Sequence, residues 1–347
     1  MRNNNFDAIR LLLAFSVFLS HSYPISGDSS LKRLSYLANA AIAVQCFFII
    51  SGFLIFMSYD NSRSLRDYFR KRALRIYPAY FTIVVLCAIA GTIVTTVPLR
   101  EFFAGPLQKY LVYNLAFLNY LCPSLPGVFD TNPTPVINGA LWTIKIEAMF
   151  YVSVPLITAL LRRVPRIPFL LALYAGSLVY RVACERTGHY SLAVQLPGQM
   201  SFFVGGALIY FYFDTFKQYA TRMILPALII TGVELWAGLM ILYPLCLGVI
   251  VIYAACFLPV FNRFRPKWDI SYGTYIFHFP VLQVMTTWGW FARGPLIGLF
   301  SSAIVVLVLG CLSWVLVERR FLKKRKGPAV TPSPQPPVSP SALSASY

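Results

Sequence analysis

The sequence predicts an all-α membrane protein of about ten transmembrane helices, with both termini on the cytoplasmic side. Three observations carry the prediction. Apolar runs near 20 residues recur along the chain, only 12% of its residues are charged, and the basic residues gather in alternate short segments between the runs. A bilayer's hydrocarbon core needs about 20 apolar residues in helical form. A soluble chain of this length carries about twice this charged fraction; here 58% of residues are hydrophobic and the mean hydropathy is +0.65.

Ten apolar runs are read as spans, at 6–24, 38–58, 77–98, 139–161, 167–183, 196–213, 222–238, 240–259, 270–288 and 296–317. The run 222–259 is divided because Glu234 and Gly238 interrupt it. The first run is retained as a helix rather than cleaved as a signal peptide, since Arg10 and His21 break its apolar region and no small-residue cleavage site follows. With the N-terminus inside, twenty-one basic residues fall in cytoplasmic segments and seven in outer ones, while Arg10 and Lys145 lie within spans. That bias is the orientation rule for inner loops. The longest outer connection, 99–138, holds a short Asn-rich apolar stretch at 110–122, read as a surface or re-entrant helix. The domain occupies 1–326, and the Pro- and Ser-rich segment 327–347 reads as a disordered cytoplasmic tail. No second soluble domain is expected.

The net charge of +18 raises nucleic acid as a partner. Its confinement to membrane-flanking loops points instead to acidic lipid headgroups or an anionic cosubstrate. The seven cysteines are scattered without a C-x-x-C pair, and none of the three histidines is near a cysteine or another histidine. Neither a disulfide framework nor a metal site is expected.

The first span carries the most informative residues. Ionisable groups within a membrane segment are costly, and by default they mark function. Arg10 and His21 are eleven positions apart, which returns them to nearly the same helical face about 16 Å apart along the axis. Both are expected to face one cavity at two depths. Arg10 also has Asp7 at i, i+3 for an intrahelical pair. His21 is either a hydrogen-bonded residue near a helix end or a general base, for which imidazole is suited. Glu147 in span four is expected at a similar depth, to orient the imidazole, to bind an acceptor hydroxyl or to form an ion pair. Arg72 and Arg75, spaced i, i+3, satisfy the orientation rule and also present planar forks suited to phosphate. His278 is either buried and hydrogen-bonded or a substrate contact, and Trp142 and Tyr151 are aromatic candidates for stacking.

Five blocks in order resemble a known family: Phe6-Asp-Ala-Ile-Arg10 with Ala14 and His21; Cys46-Phe-Phe-Ile-Ile-Ser-Gly-Phe-Leu54; Arg72-Ala-Leu-Arg75 with Ile76-Tyr-Pro78; Leu141-Trp-Thr-Ile-Lys-Ile-Glu147-Ala-Met-Phe-Tyr151; and Ser271-Tyr-Gly-Thr-Tyr-Ile-Phe-His278-Phe-Pro280. They are similar to the motifs of the integral membrane acyltransferase-3 family. The departures are Leu11 after the motif arginine, Thr143 in place of serine, and Lys145 beside the motif glutamate.

The resemblance implies O-acylation of a lipopolysaccharide, exopolysaccharide or glycolipid in the bacterial inner membrane, with acyl-CoA, acetyl-CoA above all, as donor. It implies catalytic roles for His21, Glu147 and Arg10. Arg72, Arg75 and Arg10 are assigned to acyl-CoA, and Trp142, Tyr151 and His278 to the acceptor. Direct transfer and an acyl-enzyme on His21 both remain open. A transporter or flippase is the alternative, since intramembrane Arg, Glu and His also suit a substrate pathway.

Overall fold

The computed structural model describes residues 5–258 and 268–322. The tail 327–347 and the basic residues Arg263, Arg265 and Lys267 lie outside the described residues. In order, the helices are α1 (Phe6–Ser26), α2 (Lys32–Ala38), α3 (Ala40–Asp60), α4 (Leu65–Val94), α5 (Leu99–Phe103), α6 (Pro106–Leu115), α7 (Trp142–Leu161) and α8 (Arg166–Arg186). There follow α9 (Tyr190–Ala193), α10 (Leu196–Phe211), α11 (Phe213–Ala237), α12 (Tyr243–Phe257), α13 (Ser271–Thr287), α14 (Pro295–Ser313) and α15 (Arg319–Leu322), the last two joined by a π-helical turn, Trp314–Glu318. No strand occurs among the described residues.

Among the described residues, eight helical stretches are long and apolar enough to cross a bilayer. The shorter α12 and α13, of 15 and 17 residues, complete ten positions that match the ten expected runs. Backbone amides in hydrocarbon must be paired within the segment, which is why such runs are helical.

Two boundaries differ from expectation, and one break falls where the sequence placed it. The third span begins at Leu65, twelve residues before the expected start at Tyr77, because Ser64 caps the helix by accepting from the Asp67 amide. Arg66, Arg70, Lys71, Arg72, Arg75 and Pro78 are thus part of one 30-residue helix. The run 222–259 divides where expected: Gly238 takes a left-handed conformation (φ 65°) and ends α11. Glu234, costly in an apolar run, then earns its place by accepting from the Leu242 and Tyr243 amides (2.9 and 2.6 Å) at the start of α12. The Asn-rich stretch resolves into α6, a helix from Pro106 to Leu115, and a 3₁₀ turn at Asn119–Leu121.

Helix α1 packs against α13 and α3, and α3 packs against α10. The last contact is very close. A β-carbon on Gly52 would lie 2.0 Å from the Phe203 carbonyl oxygen, and one on Gly206 would lie 2.0 Å from the Ile49 carbonyl oxygen. Small residues permit such approach, which is a main source of helix association in lipid. The packing holds α1, α3, α7, α10 and α13 around two cavities.

Candidate active site

The first cavity contains about 760 Å³ of empty space, counted to its open mouth, and is lined by Arg10, Arg72, Arg75, Glu147, Tyr151 and Tyr275 among others. The arginines come from α1 and α4. The i, i+3 spacing of Arg72 and Arg75 puts both on the face of α4 turned toward α7 and α13. Asp269, just before α13, accepts from Arg75 Nη2 at 2.5 Å and lies 4.0 Å from Arg10 Nη1. Burial alone would push its carboxyl up, but the Arg75 and Arg10 guanidinium groups overcome this and hold it down, at about 2. Arg10 also pairs with Asp7 at 3.5 Å, as the i, i+3 spacing allowed. Arg72 differs from both. Its guanidinium lies over the Tyr151 ring, 5.6 Å from the centroid, its Nε is buried without a hydrogen-bond partner, and no carboxylate pairs with it among the described residues. Glu147 accepts from the Tyr151 hydroxyl at 2.7 Å.

The second cavity, of about 620 Å³, is lined by His21, Trp142, Gln45, Arg181, Gln199 and Tyr275 among others. His21 Nδ1 lies 3.0 Å from His278 Nε2. His278 is fully buried, and its Nδ1 meets the Tyr275 carbonyl oxygen. A carbonyl only accepts, so His278 carries its proton on Nδ1 and, when neutral, presents a bare Nε2. His21 must then donate from Nδ1. Its Nε2 is left with a free lone pair, the form a general base requires.

Several expectations change here. Arg10 and His21 were expected in a single cavity, but they line two. Val44 and Tyr275 border both cavities and stand between them, with the Tyr275 hydroxyl paired to Thr143 Oγ1 at 2.7 Å. Glu147 was a candidate to orient His21, yet it faces the arginine cavity and pairs with Tyr151. His278 occupies the orienting position instead. Of the aromatic candidates, Trp142 lines the histidine cavity and Tyr151 the arginine cavity. Lys145 donates to Gln195 Oε1 at 2.7 Å and lies 4.7 Å from the Tyr120 ring centroid.

Asp269 and the partnership of His278 with His21 were missed by sequence reasoning. The only trace of Asp269 was an acidic residue immediately before an apolar run. The histidine pair is 257 positions apart, and nothing local joins it.

Comparison with known proteins bears on the chemistry. The profile of the acyltransferase-3 family, described as an acyltransferase domain, matches residues 3–317. An "O-acetyl transferase" of Shigella phage Sf6 is 30% identical over 329 residues, covering 93% of this chain and 97% of the relative. "Nodulation protein 10" of Rhizobium leguminosarum bv. viciae is 28% identical, covering 93% of this chain and 94% of the relative. "Acyltransferase MdmB" of Streptomyces mycarofaciens is 30% identical over 125 residues, covering 36% of this chain and 30% of the relative. No solved structure matches. With nearly its whole length matched, this multi-span chain belongs to the acyltransferase-3 family and is a membrane O-acyltransferase.

Proposed function

We propose that the protein moves an acetyl group from acetyl-CoA to a hydroxyl of a lipopolysaccharide, exopolysaccharide or glycolipid at the bacterial inner membrane. The observation that carries this reading is the meeting of two cavities at one wall: three arginines on one side and the His21–His278 pair on the other. An arginine cavity suits the phosphates of CoA. A histidine with a free Nε2 suits deprotonation of an attacking hydroxyl.

In this scheme Arg72 meets the phosphates, since its charge has no carboxylate partner among the described residues. Arg75, fixed by Asp269, and Arg10 supply the surrounding positive field. The pantetheine arm runs through the arginine cavity and past the Tyr275 ring, so that the thioester enters the histidine cavity, a reach comparable to the roughly 16 Å separating Arg10 from His21 along α1. His21 Nε2 removes the acceptor hydroxyl proton as the oxygen attacks the thioester carbonyl carbon. The new C–O bond forms, the C–S bond breaks, and the His21 proton passes to the departing thiolate to give the ester and free CoA. His278 holds His21 in the required tautomer. The excess of basic residues at the arginine end supports an orientation in which that end, and both termini, face the cytoplasm.

The test uses membranes with labelled acetyl-CoA and extracted glycolipid. Wild-type protein should label the glycan. His21→Ala should lower the rate about 10²- to 10⁴-fold, the range for loss of a general base, with the folded protein retained. Substantial transfer by His21→Ala would sink the scheme.

A further inference from the structure

Two residues that line the histidine cavity each carry a buried polar atom with no hydrogen-bond partner among the described residues. Gln199, on α10, is 3% exposed, and its Oε1 is sealed from solvent without a hydrogen bond among the described residues. Arg181, on α8, donates from Nε to Glu185 Oε1 at 2.9 Å and lies 5.8 Å from the Phe202 ring centroid, but its Nη1 is buried with no acceptor among the described residues. Gln45 provides the contrast. It lines the same cavity, and its Oε1 already accepts from the Tyr243 hydroxyl at 2.8 Å. Buried polar groups are nearly always paired, so an unpaired acceptor and an unpaired donor in one cavity call for a ligand that supplies both.

We propose that Gln199 and Arg181 form the acceptor subsite, binding an uncharged sugar unit whose hydroxyls donate to Gln199 Oε1 and accept from Arg181 Nη1. This rests on the acyl-transfer reading only for what happens next to the bound hydroxyl at His21. Each sugar hydroxyl is both donor and acceptor, which matches this pair. Trp142 lines the same cavity and offers an apolar ring to the sugar's C–H face. The Glu185 carboxylate already balances the Arg181 charge, so the subsite is built for hydroxyls rather than for a sugar carboxylate. Few precisely placed polar groups on an apolar wall are the usual means of fixing a small ligand's orientation.

The test is saturation-transfer NMR on the purified full-length chain in detergent, without donor. The probes are methyl glycosides of hexoses, 6-deoxyhexoses, N-acetylhexosamines and uronic acids. At least one uncharged glycoside should bind the wild type. Its binding should weaken tenfold or more in Gln199→Met and in Arg181→Gln, variants checked for an unchanged melting temperature, and persist in Arg72→Ala. Gln199→Leu serves as a second variant where Met alters the fold. The inference is overturned where no uncharged glycoside binds the wild type, where only uronic acids bind, or where both variants bind like the wild type. A parallel assay with labelled acetyl-CoA separates the two readings. Glycoside binding that depends on Gln199 and Arg181, in a wild type that transfers no label, supports the subsite and removes the acetyl-CoA reading. Transfer by both variants with an unchanged acceptor KM does the reverse.

Discussion

His21 owes its reactive form to a residue 257 positions away. The Tyr275 carbonyl fixes the proton on His278 Nδ1, and that leaves His278 Nε2 to accept from His21. Replacing His278 with Ala removes the acceptor, so His21 is free to turn or to change tautomer. The expected result is a fall in kcat of about 10²-fold, within the range for impaired proton transfer, with acyl-CoA KM unchanged. His278→Gln keeps a carbonyl oxygen able to accept from His21 and should recover part of the rate. Equal losses in Ala and Gln would show that His278 contributes only packing. Asp269 makes a pH-dependent contribution of definite sign. Its carboxyl is held at about 2, below the ordinary 3.8, so its ion pairs stabilise the fold above pH 4 and are lost as pH falls toward 2. The shift corresponds to about 2 kcal/mol. Thermal melts of wild type and Asp269→Asn should therefore differ most at neutral pH, and the gap should narrow below pH 4. A gap independent of pH would remove the ion pairs as its cause.

At the scale of elements, α13 does two things with one residue. The Tyr275 carbonyl orients the histidine pair, while its ring, with the hydroxyl tied to Thr143 on α7, separates the arginine and histidine cavities. Tyr275→Ala should join the two cavities and admit water to the thioester. The expected outcome is acyl-CoA hydrolysis without acceptor, raised severalfold over wild type, with transfer reduced. Tyr275→Phe keeps the ring and should leave hydrolysis near the wild-type level. Unchanged hydrolysis in Tyr275→Ala would rule out the ring as a barrier. The helices themselves were largely legible. Apolar runs gave their positions, and Glu234 with Gly238 gave the break between α11 and α12, because a charge and a left-handed turn both act locally. The early start of α4 was obscured because its first turns are basic rather than apolar. The wall at Tyr275 and the His21–His278 pair were illegible because they depend on which face of α13 meets α1 and α7. An apolar helix in lipid does not advertise that face through polarity.

At the scale of the whole molecule, charge and chemistry point the same way. Helices α1 and α3 run antiparallel, with the Ala40 amide on Ser20 Oγ at one end and Phe6 against Phe53 at the other, so the turn at 27–31 lies at the histidine end and the turn at 61–64 at the arginine end. The abundant arginines and lysines near the second turn and the other segments at that end were readable from sequence, because the orientation rule needs only their count. The same end carries the cavity assigned to acyl-CoA, a cytoplasmic metabolite in the proposed reaction. Orientation and mechanism therefore stand or fall together. In a variant lacking the seven native cysteines, Asn61→Cys, at an exposed position, should react with an impermeant maleimide only in inside-out vesicles. Ser29→Cys, also exposed, should react only in right-side-out cells or vesicles. The reverse pattern would put the arginine cavity on the outer face, where cytoplasmic acyl-CoA has no access, and the donor route would fail even though the family assignment stands. Labelling of both positions from one side would contradict a membrane crossing by α3, which links the two turns.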